Sequence, residues 1–159
     1  MSLGMIVVDV ETRQEHKVVI ELVENRDFKN ITKRRYFFDW KIEREYNIYK
    51  LYLEGESDIL GLVSFENIPN EWRIHIRLLT VSEENKGRDK QYEHIIGNLL
   101  TFVSKLAVKE YGEMSCISFI PKSKIAQHYI DTYDMRVTGM RLSLELTEIL
   151  NMITFYDHD

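Results

Sequence analysis

Two hydrophobic periods alternate along this chain, and the change from one to the other marks its elements. β-Branched and aliphatic residues at 17–23 (KVVIELV) predict a strand, with 5–10 (MIVVDV) as a partner before it. The polar stretch 27–32 has room for a turn or two of helix at most. Residues 49–53 predict another strand, and the turn chemistry of 54–58 (EGESD) folds it back in a hairpin onto 59–65. That segment is nearly all apolar, as a central strand is. After a turn at 67–70 comes a strand over 71–81, in which Trp72, Ile74, Ile76 and Leu78 alternate with Glu71, Arg73, His75 and Arg77. The alternation fails at Leu78-Leu79-Thr80-Val81, which predicts a bulge or bend there.

Beyond a polar loop at 82–90 the period lengthens to about 3.6. Tyr92, Ile95, Ile96, Leu99, Val103, Leu106 and Ala107 share one stripe, predicting a helix over 91–110 that Tyr111-Gly112 stops. A short buried strand follows at 115–120, then a helix over 121–132 with Ser123 as N-cap. A final strand at 137–146 and a terminal helix at 147–156, capped by Thr147, complete the chain. The strand–helix–strand unit from 71 to 120 requires a right-handed crossover between parallel strands. The fold class is therefore α/β in the α+β sense: a mixed, mostly antiparallel sheet with a central parallel βαβ unit and helices on both faces. Sites in such sheets lie at the carboxyl ends of strands, where a loop opens a helix.

Composition acts mainly by exclusion. The 159 residues make one domain over 5–159, and 1–4, ahead of Met5, read as an expression remnant. With 44% hydrophobic and 30% charged residues the chain is globular rather than disordered. It has no secretory leader and no apolar run long enough for a membrane span, so the expected compartment is the cytoplasm. The single cysteine, Cys116, rules out an intrachain disulfide and a Cys-rich zinc module, and its apolar strand makes it a packing residue. The histidines at 16, 75, 94, 128 and 158 show no i,i+4 pair, so no metal is expected. A net charge of −5 gives no overall pull toward nucleic acid or an anionic membrane. Residues 26–50 run against that balance, with eight basic and four acidic side chains and the cluster Lys33-Arg34-Arg35-Tyr36-Phe37-Phe38-Asp39-Trp40. No nucleic-acid motif accompanies it.

From residue 58 to 146 the order of elements resembles the GNAT superfamily of acyl-CoA N-acetyltransferases, in a divergent bacterial subgroup. There a strand ending in Leu-x-Val leads into a loop of the form Arg/Gln-x-x-Gly-x-Gly/Ala. Here Leu79-Thr80-Val81 supplies the strand end, and Gln91-Tyr92-Glu93-His94-Ile95-Ile96-Gly97-Asn98-Leu99-Leu100 the loop and helix start. The pattern Gly-x-x-Lys-x-Tyr-x-x-Ile-x-Gly-Asn-Leu over 87–99 matches the subgroup. His94 and Ile96 stand where the family has small residues, and Gly97 comes one place late. The second signature, Asn-x-x-Ala-x-x-x-Tyr followed by Gly-Phe, aligns with the helix carrying Lys122, Ala126 and Tyr129, with Asp134-Met135 in place of Gly-Phe and one residue further along.

The resemblance implies acetyl-CoA as cosubstrate and an amine-bearing small molecule or peptide as acceptor. Acetyl transfer would proceed by direct attack in a ternary complex. Leu79 and Val81 would line the cofactor's path, with a backbone donor near Val81 for the thioester oxygen. Lys86, Gly87, Lys90, Gln91, Tyr92, Gly97, Asn98 and Lys122 would hold its phosphates and flanks. Tyr129 would protonate the departing thiolate, with Tyr133 in reserve; spacing alone reads Tyr129 as a core residue. His75 or Glu71, on the polar face of strand 71–81, would take the proton from the amine. The basic-aromatic cluster would be a mobile segment partly closing over the acceptor. Small mixed-sheet domains often pair through an edge strand or terminal helix, so the sequence leaves the oligomeric state open, with a homodimer among the alternatives. The altered glycines point to the rival reading, a module of this fold that binds without turnover.

Overall fold

The computed structural model describes residues 5–121, 123–138 and 141–157, the side chains of 123–125 excepted. Two N-terminal strands, β1 (Ile6–Asp9) and β2 (Glu15–Leu22), precede a short helix α1 (Lys33–Tyr36). The strands β3 (Asn47–Leu53), β4 (Ile59–Ile68) and β5 (Arg73–Val81) form a meander. A two-residue strand β6 (Tyr92–Glu93) then leads into the long helix α2 (Ile95–Tyr111). β7 (Cys116–Phe119), α3 (Ser123–Tyr133), β8 (Arg136–Thr138), β9 (Arg141–Glu145) and α4 (Leu146–Tyr156) complete the described chain. The strands form one sheet in the order β6-β1-β2-β3-β4-β5-β7-β9-β8. Only β5 and β7 pair in parallel among them. The expected mixed α+β class, with its central parallel pair, is the observed one.

Each face of the sheet carries its own core. On one, α2 and α4 bury Leu99, Leu100, Val103, Ala107 and Ile149 against Val63, Ile74, Ile76, Ile117 and Leu144. Gly61 permits this approach, because a Cβ there would stand 2.7 Å from Ile95 Cγ2 and 3.2 Å from the Thr80 carbonyl. On the other face, Tyr36 and Trp40 pack with Phe28, Ile48, Ile59 and Leu62. The Tyr36 hydroxyl donates to the Ile59 carbonyl at 2.7 Å, and Trp40 Nε1 to the Tyr36 carbonyl at 3.1 Å. The basic-aromatic cluster is therefore a structural plug for the second core and not a mobile cover. Two large rings with satisfied polar tips bury too much apolar surface to leave free.

The strand predicted over 71–81 starts later. Pro69–Glu71 forms a 3-10 turn, closed by Trp72 at φ +49°, so Trp72 sits half-exposed off the apolar face. The expected bulge is present and falls on Arg77: Phe65 pairs with Ile76 and Ser64 with Leu78, leaving Arg77 opposite no residue. Past that point the faces exchange. Leu79 joins the α2 core, while Leu78 turns to the second core.

Three further expectations are corrected. The predicted single strand at 137–146 is the antiparallel pair β8 and β9. The terminal helix opens at Leu146 behind Glu145, with no side-chain cap, so Thr147 lies inside it. The long helix begins at Ile95 rather than Gln91, because Tyr92 and Glu93 are drawn into the sheet opposite Asp9 and Val8 of β1. The apolar stripe hid that strand, since Tyr92 packs on the same core as Ile95 and Leu99.

Candidate functional site

The parallel strands β5 and β7 stay paired for four positions only, from Arg73 with Cys116 to Ile76 with Phe119. At the Arg77 bulge they part, and β5 continues to Val81 bound to β4 alone. The Ser82 N–H donates to the Leu60 carbonyl at 2.8 Å. Strand alternation then turns the N–H groups of Leu79 and Val81 away from β4, toward the gap that β7 leaves. The separation therefore begins four residues before β5 ends at Val81.

Arg77 pins the bulge. Its Nε donates to Glu43 Oε1 at 2.8 Å and its Nη1 to Glu66 Oε2 at 3.1 Å, and the guanidinium lies 3.8 Å from the centroid of the Tyr46 ring. Glu43, almost wholly buried, also accepts from Ser64 Oγ at 2.9 Å.

Upstream on β5, His75 lies on the sheet face opposite the α2 core, as does Ser118 on the adjacent β7. His75 Nδ1 is 2.8 Å from Ser118 Oγ, which also accepts from Arg73 Nη1 at 2.5 Å. Arg73 in turn donates from Nη2 to Glu71 Oε2 at 2.6 Å. The two candidate bases are thus the ends of one chain, Glu71–Arg73–Ser118–His75, and only His75 is near the gap. Glu71 lies at the far end of β5, off the strand. Burial, followed by the Arg73 charge, lowers the His75 pKa and keeps the ring neutral at pH 7.

On the opposite face Tyr129 of α3 packs edge-on to Phe119, with centroids 5.2 Å apart. Burial alone pushes its phenol up to about 12. Tyr129 meets Tyr133 at 5.7 Å, Tyr133 meets Tyr156 of α4 at 6.5 Å, and Tyr156 meets His94 at 5.7 Å. A line of aromatic rings therefore runs from the strand gap to the start of α2. Burial also raises the Tyr133 pKa strongly.

The loop residues expected to hold phosphates are placed as follows. Lys90 lines a cleft of ≈ 530 Å³ together with Glu93, His94, Tyr133 and Tyr156. Lys86 Nζ lies over the Phe37 ring at 4.4 Å, and Gly87 turns the loop at φ +77°. Gln91 and Tyr92 are held by main-chain bonds, Gln91 O accepting from Val10 N and Tyr92 N donating to Asn85 Oδ1 at 2.8 Å. Asn98 is fully buried and donates from Nδ2 to the carbonyls of Ile6 at 2.6 Å and His94 at 2.8 Å. No side chain caps α2, and His94 stands before it at φ +80°. Gly97 faces the Tyr156 ring so closely that a Cβ would come within 2.2 Å of Cε1. Lys122 lies outside the described residues. Cys116 is half-buried, and burial raises its pKa, so it is not an activated thiol.

Sequence reasoning missed Ser118, Glu43 and Tyr156. Only partner geometry identifies the first two. Tyr156 had a signal, as an aromatic at the end of an amphipathic helix, but nothing in the sequence says where that helix docks. Among the described residues no cluster of three or more metal-ligating side chains occurs, and no helix is long and apolar enough to cross a membrane.

No protein-family model matches the chain, and no curated protein sequence does either. Solved structures do. A nucleotide-linked sugar GNAT superposes with a TM-score of 0.62 at 8% identity, over 98% of this chain and 97% of its own. Spermidine N-acetyltransferase from Vibrio cholerae gives 0.62 at 10% identity, over 84% and 96% of the two chains. A Bacillus subtilis acetyltransferase in complex with CoA gives 0.55 at 14%, over 82% and 99%. With the parallel pair parting at a bulge and a helix opening beyond it, the chain has the fold of the GNAT acetyltransferases.

Proposed function

We propose that the chain transfers an acetyl group from acetyl-CoA to an amine, on a small molecule or a peptide, by direct attack in a ternary complex. One observation carries this reading. The sheet opens between β5 and β7, with Tyr129 on one face and His75 on the other. The amine lone pair would attack the thioester carbon through that opening. A C–N bond forms, the C–S bond breaks, His75 receives the proton of the amine, and Tyr129 supplies one to the thiolate. Each group is in the protonation state its role needs at neutral pH: the imidazole is neutral and the phenol protonated. The N–H groups of Leu79 and Val81 face the gap, where they suit the charge that develops on the carbonyl oxygen. Lys90 and the uncapped first turn of α2 suit a pyrophosphate.

The names of the neighbours agree with this chemistry, one being a complex with CoA and another an acetyltransferase of spermidine. The test is a calorimetric titration with acetyl-CoA, followed by thiol release with a panel of amines. Replacing His75 by Gln should cut turnover by about 10²–10⁴-fold and leave CoA affinity nearly unchanged. Absence of binding at millimolar acetyl-CoA would remove the enzyme reading and leave the fold.

A second reading is a module of the same fold that binds a partner without turnover. It is favoured by the Tyr156 ring, which lies against Gly97 at the helix start.

A further inference from the structure

The last turn of α4 lies across the start of α2. Two clefts flank it, one of ≈ 540 Å³ on the side of β1 and one of ≈ 530 Å³ on the side of α3. They share His94, Asn151, Phe155 and Tyr156, three of which belong to α4. α4 is thus a partition, and without its last turn the two spaces would form one groove running past the uncapped end of α2.

The helix is anchored unevenly. Ile149 and Met152 are buried in the main core, whereas Phe155 is 64% exposed and its ring lies edge-on to Tyr156 at 4.8 Å. Beyond them, an ion pair between Lys105 and Asp157 fastens the end. Helix ends open at lower cost than turns rooted in a core, so the pair between Lys105 and the buried Asp157 carboxylate, together with the Tyr156 ring, is what holds the last turn down.

We propose that the last turn of α4, with Tyr156 as its plug, is an autoinhibitory strap that must peel away before a nucleotide-bearing thioester can occupy the start of α2. This rests on the acetyl-CoA reading and assigns the regulation of that same site. If the open form is about a tenth of the population, apparent affinity for the cofactor is reduced about tenfold, and removing the plug recovers it.

The experiment compares CoA binding by calorimetry in wild type, Tyr156→Ala, a chain ending after Thr154, and Leu150→Ala as a control on the exposed face of the same helix. Hydrogen exchange of the amides from 152 to 157 is measured with and without CoA. The expected result is about tenfold tighter binding for Tyr156→Ala and the shortened chain, no change for Leu150→Ala, and faster exchange at 154–157 in wild type on adding CoA. Equal or weaker binding by Tyr156→Ala, or slower exchange there, overturns the strap while leaving the acetyl-CoA reading intact. Failure of wild type and every variant to bind at millimolar CoA overturns both. Should Tyr156→Ala not fold, Asp157→Asn loosens the same turn with the core untouched, and the same outcomes apply.

Discussion

Replacing Arg77 by methionine should cost about 3.5–4 kcal/mol of stability, although the residue lies on a strand and is partly exposed. Glu43 has a side chain only 4% exposed and accepts from Arg77 Nε at 2.8 Å and Ser64 Oγ at 2.9 Å. Without the guanidinium a buried carboxylate keeps one neutral donor. Breaking a buried pair from one side costs about 3–5 kcal/mol. The lower end applies here, because Arg77 is itself 32% exposed and water can partly replace it. The cation–π contact with Tyr46 at 3.8 Å adds about 0.5–1 kcal/mol. A second substitution, Glu43→Gln, removes the stranded charge while keeping an acceptor for Ser64. The double variant should therefore lose only about 1–1.5 kcal/mol, at least about 2 kcal/mol less than Arg77→Met alone, and the cost of Glu43→Gln alone adds to that difference in the coupling of the cycle. Urea unfolding of the four proteins, at constant m, measures it. A loss below 1 kcal/mol for Arg77→Met, or a coupling below about 0.5 kcal/mol, would refute the claim that this ion pair holds the bulge.

Other consequences are independent of that pair. Gly61→Ala should destabilise by about 1–3 kcal/mol through overpacking on Ile95 and Leu99, and Ile95→Val in the same chain should recover part of it in thermal unfolding. His75 and His94 both have pKa values lowered chiefly by burial, so below pH 6.5 the unfolded chain binds more protons than the folded one. Stability should fall as pH drops from about 7 to 5, and urea midpoints in His75→Gln and His94→Gln should each show a shallower slope over that window. Lys90→Glu should weaken CoA binding by about 10–100-fold in calorimetry, with stability unchanged within about 0.5 kcal/mol, since an exposed loop lysine supports little of the core.

The sequence was most legible where one face is buried and the other is not. β5 shows this best: alternation named its polar face, and the break at Leu78-Leu79 located the bulge to within a residue or two. Periodicity could not separate β6 from α2, because Tyr92 fits both a helical stripe and a strand paired with Asp9. Nor could it see that the basic run around Tyr36 and Trp40 covers a second core. Arg35, in the middle of that run, is spent on Asp58 at 2.7 Å and Glu84 at 3.0 Å. These charges come together only through tertiary structure. The chain Glu71–Arg73–Ser118–His75 is likewise invisible in sequence, since Ser118 comes 43 residues after His75.

The departures from the family pattern are best judged by what the backbone asks of each position. Asp134 stands in place of a glycine and adopts φ +57°, the left-handed conformation for which glycine is usually chosen. Aspartate is among the few other residues that tolerate it. Met135 follows and is 2% exposed, packed into the main core. The replacement therefore preserves a helix stop and an anchor, at the cost of some backbone strain. His94 takes φ +80° at the start of α2, again where a small residue would be easier. Here the exchange changes more than strain, because the imidazole adds a ring that Tyr156 can pack against. The two turns therefore differ in what they do for the packing: Asp134 keeps a left-handed helix stop beside Tyr129, and His94 gives the C-terminal helix a ring to dock on.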